Sequence, residues 1–174
     1  MLDKVKIIEC PRDAMQGIKT FIPTKIKLNY LQSLVNVGFD VIDIGSFVSS
    51  KAIPQLSDTS KIIDSIDLSN SDSKILVIVA NKKGAVNASK YKKISYLGYP
   101  FSISETFQLR NTNKNINDSF NELADIISVA KKVNKEVVVY LSMCFGNPYG
   151  DKWSIDIINH WVNKISKMGI KTIS

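Results

Sequence analysis

Arg12 and Asp13 stand side by side just past a short apolar run, Val5, Ile7 and Ile8, which Cys10-Pro11 brings to a stop. Proline cannot donate to a strand ladder and drives the residue before it into an extended conformation. A fixed cation beside a hard oxygen ligand is suited to holding a divalent metal and a developing oxyanion together. Of the 23 basic residues only Arg12 and Arg110 are arginines, so where lysine suffices as a solubilising charge the chain uses lysine. Arg12 is then present for its planar fork, which takes two oxygens at once. The bland alternative for the same two residues is a surface ion pair in a turn.

Other polar residues fall at equivalent places, just past each apolar run: Gln16 after the first, Asp43 and Ser46 in and after the second, Asn81, then Ser104 and Glu105, then Ser142, Cys144 and Asn147. Parallel α/β sheets and barrels gather their chemistry at these strand ends. Asp13 and Asp43 would come from neighbouring strands close to Arg12, which makes half of an oxygen-rich metal site. The single His160, between Asn159 and Trp161, reads as a surface or packing histidine. Cys10 and Cys144 are expected as free thiols, and with one histidine they cannot complete a four-ligand zinc site.

The elements that must position these groups follow from periodicity. Pro23 marks a helix start, and Ile26, Tyr30, Leu31, Leu34 and Val35 repeat at helical spacing up to Gly38. A strand is predicted over Phe39–Gly45, a loop over Phe47–Gln55 and a helix over Thr59–Ile66. Lys74–Ala80 is an unbroken apolar run of the kind found in parallel sheets, and a short helix over Lys82–Tyr91 leads to a strand over Ile94–Phe101. Asn115–Lys132 is amphipathic, Glu136–Leu141 a further strand, Trp153, Ile157, Trp161 and Ile165 line a helix, and Ile170–Ser174 begins a sixth strand. This βα alternation with strands apolar on both faces implies a parallel sheet covered by helices. Neither G-x-G-x-x-G nor G-x-x-x-x-G-K-[ST] occurs, which removes the fingerprints of a phosphate-binding open sheet. The expectation is a (β/α)8 barrel truncated to about five and a half βα units, with residues 1–174 the N-terminal part of a single catalytic domain.

Composition excludes several classes. With 174 residues, 44% of them hydrophobic, the chain can bury a sizeable core, and no apolar run approaches the roughly 20 residues that cross a bilayer. The sequence MLDKVKII enters a strand directly, so no leader and a cytoplasmic location are expected. The net charge of +7 is scattered in single and paired lysines, with no basic run, so nucleic acid is not an expected partner. An anionic small molecule would gain from the same field.

The run PRDAMQ, the segment SFVSSKAIPQLSD from Ser46 to Asp58, NKKG from Asn81, SETF from Ser104 and SMCFGNPYGDK from Ser142 together resemble 3-hydroxy-3-methylglutaryl-CoA lyase, in order and at consistent spacing from Val5 onward. The resemblance implies a TIM barrel and a metal-dependent, retro-Claisen-type cleavage of 3-hydroxy-3-methylglutaryl-CoA to acetyl-CoA and acetoacetate, with Mg²⁺ or Mn²⁺. It implies Asp13 as a metal ligand and Arg12 and Asp43 as catalytic groups. Arg12, Gln16, Ser46, Asn81, Ser142 and Asn147 would meet the substrate, and the full-length protein would be a homodimer. The family's H-x-H ligands, late cysteine and final asparagine would fall beyond residue 174, leaving this chain alone inactive or nearly so. Glu105 and Arg110 would contact the CoA phosphates or pair with each other. Three positions depart from the family: Asp43 stands where a glutamate is usual, Ala14 where a glycine is, and the turn before Pro11 is one residue shorter. The alternatives are a related acyl-CoA aldolase or synthase, as in isopropylmalate and homocitrate synthases, or a non-catalytic acyl-CoA-binding or interaction protein.

Overall fold

Runs that are apolar at consecutive positions become strands covered on both faces, and that is how the sheet forms here. The computed structural model describes residues 5–174; residues 1–4, on which the expectation of a missing leader partly rests, lie outside the described residues. Six strands, β1 (Ile8–Glu9), β2 (Val41–Ser46), β3 (Lys74–Ile78), β4 (Ile94–Ser102), β5 (Glu136–Ser142) and β6 (Thr172–Ile173), form one sheet in sequential order. Every neighbouring pair is parallel. The helices are α1 (Pro11–Gln16), α2 (Thr24–Val37), α3 (Thr59–Ser65), α4 (Lys82–Ser89), α5 (Glu105–Thr112), α6 (Ile116–Lys132) and α7 (Ile155–Lys167). Sequential order in an all-parallel, curled sheet is the arrangement of a TIM barrel, here as six strands of one.

The two faces of the sheet do different things. Outward-facing residues such as Ile42, Ile44, Val77, Leu97, Tyr99 and Phe101 join the main core under the helices. The inner face carries a smaller cluster of Val41, Leu76, Ile78 and Val138, edged by Val48, Tyr96 and Tyr140. Helix ends follow their capping residues: Asn81, Ser104, Asn115 and Ser154 each accept a backbone N–H of the first turn. Gly38, at φ 85°, ends α2 in the left-handed conformation that glycine adopts without cost. Lys93 closes α3 from another element, its ammonium donating to the carbonyls of Ile63, Asp64 and Ile66 at 2.9, 2.8 and 2.7 Å.

Two local expectations are corrected, and one helix is added. Pro11 does not merely end a strand; it opens α1, where its missing N–H is no loss and its fixed φ suits the first helical turn. Residues 105–112 form a helix that the sequence lacks the apolar periodicity to announce. Trp153 lies ahead of the capping Ser154 and so outside α7, which begins at Ile155. No described helix is long and apolar enough to cross a membrane.

Candidate active site

The site is built where β1 gives way to α1 beside β2. Because α1 starts one residue after Cys10, Arg12 is carried to the end of β2, and its side chain, 12% exposed, reaches Asp43 on that strand. Nε and Nη2 both donate to Asp43 Oδ2, at 3.0 and 2.8 Å. Nη1 donates to Asp13 Oδ1 at 2.9 Å and to Gln16 Oε1 at 2.8 Å. A guanidinium has five N–H groups. Four are thus taken, and among the described residues the fifth, on Nη2, has no partner.

Asp43 is fully buried, and its Oδ1 has no hydrogen-bond partner among the described residues. Burial pushes its carboxyl up to about 6, against the downward pull of Arg12's hydrogen bonds and charge. Burial alone would lower the guanidinium's pKa, but the hydrogen bonds and charge of Asp43 outweigh it and leave Arg12 raised. Asp13 is the opposite case, with 73% of its side chain exposed and one oxygen uncommitted.

A bulge in β2 adds Ser46 to the same face. Residues three apart in a regular strand point to opposite faces, yet Asp43 pairs with Leu76 and Ser46 with Ile78, both inner-face residues, because the register shifts between Asp43 and Gly45. Ser46 is buried, its hydroxyl donating to the Ile78 carbonyl and accepting from Val48 N–H. Gly45 is required at the bulge, since a Cβ there would lie 2.5 Å from Thr59 Cγ2.

Tyr140 is the inner-face residue that the polar pattern at the strand ends overlooked. It lies above Gly98, whose missing side chain leaves the room: a Cβ at 98 would meet Tyr140 Cε2 at 2.9 Å. Burial, reinforced by the charge of Asp43, holds its phenol above the usual tyrosine range. The signal was available in the alternation Val138, Tyr140, Ser142, which puts all three on one face of β5.

The remaining expected residues divide. Ser142 is half-buried at the end of β5, where its carbonyl accepts from Ile103 N–H and Ser102 Oγ. Asn81 and Asn147, expected to meet substrate, also serve the backbone of their own segments. Asn81 caps α4 through Gly84 N–H. Asn147 accepts from Tyr149 and Asp151 N–H and donates to the Asp151 carbonyl, bracing its own loop. Glu105 and Arg110 do not pair: Glu105 accepts from Ile116 N–H, and Arg110 lies 4.8 Å over the Tyr149 ring. Cys10 and Cys144 are free, and His160 is exposed with its ring edge-on to Trp161.

Among the described residues no three carboxylate, histidine or cysteine side chains converge as a metal site. The free oxygen of Asp13 fits the role of one hard ligand. Arg12 stands between it and Asp43, so these two acids do not chelate one ion by themselves.

Comparison with known proteins agrees with this geometry. The profile of the HMGL-like family matches residues 4–174. The mitochondrial hydroxymethylglutaryl-CoA lyase of Mus musculus is 33% identical over 98% of this chain and 52% of its own length; the chain thus spans about half the length of the curated relatives it matches. The HMG-CoA lyase structure from Bacillus subtilis superposes with a TM-score of 0.91 at 31% identity, over 98% of this chain and 57% of that one. One from Acinetobacter baumannii, in complex with coenzyme A and 3-methylmalate, gives 0.89 at 30% identity, over 97% and 54%. On sequence and fold together, the chain belongs to the HMGL-like family, a family of lyases.

Proposed function

We propose that this chain carries the Arg12 half of a 3-hydroxy-3-methylglutaryl-CoA lyase site. The observation that carries the reading is the state of Arg12: pinned through two N–H groups on one buried carboxylate oxygen, with one N–H left over at the end of a parallel sheet. In the cleavage, the C3 hydroxyl loses its proton, the C2–C3 bond breaks to release acetoacetate, and the electron pair passes to the acetyl-CoA enolate, which is then protonated. The free Nη2–H meets the thioester oxygen where that charge appears, and Asp43 keeps the guanidinium from turning away. Gln16 holds the far nitrogen, while Ser46 and Ser142 line the inner face.

The metal belongs to the same reading. Asp13 is the ligand this chain offers to Mg²⁺ or Mn²⁺, and a bound divalent ion would supply Lewis acidity toward the hydroxyl and carboxylate oxygens of the substrate. Asn81 and Asn147 act on substrate through the loops they brace.

Calorimetric titration of Mn²⁺ into the chain and into Asp13→Ala, with and without 3-hydroxy-3-methylglutaryl-CoA, tests the assignment. The expected result is binding that the acyl-CoA strengthens and that Asp13→Ala weakens at least tenfold. Identical isotherms in both proteins would overturn Asp13. In the full-length protein, acetoacetate release assayed beside condensation of acetyl-CoA with 2-oxo acids separates lyase from synthase, and a condensation activity without cleavage would replace this reading.

A further inference from the structure

The placement of α1 poses a physical problem. Six residues are too few for a helix to hold itself together, and only Pro11 and Met15 of α1 are buried. The stretch that follows has one apolar anchor, Ile22, packed against the main core, while Ile18 and Phe21 are each about half exposed. Yet Arg12 must sit within hydrogen-bond distance of Asp43, on another strand.

The rest of what holds the stretch is polar. The Gln55 amide makes three hydrogen bonds to it, donating to the carbonyls of Ile18 and Thr20 and accepting from Ile22 N–H, each at 2.9 Å. The backbone carbonyl of Gln55 in turn accepts from Lys27 Nζ. Lys27 is buried in α2 and paired at 2.9 Å with Asp58, which is also buried. The second Asp58 oxygen accepts from Thr24 Oγ1 at 2.8 Å, and the ammonium lies 4.1 Å from the Phe21 ring centroid. Ile18 N–H closes the circuit on the Met15 carbonyl in α1 at 3.0 Å.

A buried ion pair is a poor source of stability, because desolvation of both charges offsets their attraction. Its directional bonds can instead select one arrangement of the chain. We propose that Lys27, Asp58 and Gln55 are positioning residues: they lock the segment after α1 against the segment after β2, and so aim the Arg12 guanidinium at Asp43. The inference takes from the lyase reading only that Arg12 is the group that matters. Its test reads Arg12 directly and not turnover, so the two can fail separately.

The chain has only two arginines, which makes the test practicable. In ¹⁵N-labelled protein the two side-chain Nε–H signals are told apart by Arg110→Lys, a change at an exposed residue. The double variant Lys27→Met/Asp58→Leu removes both charges and orphans neither. Gln55→Met is the second variant, with the ion pair intact. Circular dichroism identifies which variants are folded. In the folded ones, the expected result is at least tenfold faster hydrogen exchange at the amide of Ile22 and at Arg12 Nε–H, with the Arg12 signal displaced. An unchanged Arg12 signal and exchange rate in either folded variant would overturn the proposal, because a merely structural role would leave the guanidinium on Asp43. Should the double variant not fold, Gln55→Met decides by the same two outcomes.

Discussion

Arg12 grips Asp43 by one oxygen only. Nε and Nη2 converge on Oδ2 while Oδ1, equally buried, has no partner among the described residues. A carboxylate in that position is held in place without being fully satisfied, which is why burial prevails over the adjacent cation in setting its proton affinity.

Stability should therefore fall as pH rises through the window that Asp43 defines. Its carboxyl titrates near 3.8 when unfolded and at about 6 when folded, so between those values the native state holds a proton that the unfolded chain has released. Below the window both states are protonated and this penalty is absent; above it the penalty is complete, on the order of 3 kcal/mol. Urea unfolding of the chain and of Asp43→Asn at pH 4 and pH 7 checks this: the stability of the chain relative to the variant should drop by that order on going to pH 7. An equal difference at both values would refute it.

Arg12→Met should destabilise by about 3–5 kcal/mol at pH 8, since it leaves a buried carboxylate without its donor. At pH 5 the cost should be smaller, because a proton neutralises Asp43 there. Urea midpoints at the two pH values give both figures. A cost that did not depend on pH would mean that Asp43 is not the group left behind.

Gly98→Ala should cost about 1–3 kcal/mol through overpacking. The new Cβ would lie 2.7 Å from Ile78 Cδ1, 2.9 Å from Tyr140 Cε2 and 3.0 Å from Leu76 Cδ2. These are the far ends of side chains, so the layer can shift, and Tyr140→Leu in the same chain should recover part of the loss. Thermal melts of the two single variants and the double variant measure the coupling, and strict additivity would disprove it.

Gly84→Ala inverts the usual sign. Within a helix, alanine is ordinarily better than glycine by about 1 kcal/mol, but here the Cβ would sit 2.7 Å from the backbone carbonyl oxygen of Phe47. Backbone cannot step aside as a side-chain tip can. Denaturant unfolding should show a loss of at least about 1 kcal/mol where propensity alone forecasts a gain.

Much of this was legible in the sequence. The apolar runs at 74–80 and 136–141, the helical spacing through Ile26–Val35 and the order of elements all follow from periodicity, which burial on a parallel sheet preserves. Arg12 stood out because arginine is rare in this chain, and the resemblance to the lyases rested on residues that the structure places at strand ends. What failed has physical reasons. Residues 105–112 carry no apolar stripe; the helix there is set from outside, by the Ser104 cap and by Asp151, whose carboxylate accepts from Ser104 Oγ, Thr106 N–H and Thr106 Oγ1. The capping and bracing roles of Asn81 and Asn147 could not be read ahead of the structure, because an asparagine past a strand end is as good a cap or turn brace as a substrate contact. Tyr140 was missed because it lies inside β5 and not past its end, although the alternation through Val138 and Ser142 already gives it their face.

The order of the strands in space is also their order in the chain, and this bears on how the molecule comes to be folded. Among the described residues no ladder joins strands more than one βα unit apart, so each of these five pairings can form as soon as its second strand is made. During synthesis each strand can dock on its predecessor as it leaves the ribosome, and assembly advances as a front from β1. A stall along the way would leave the earlier pairings intact, with the outer edge of β1 and the growing edge both open.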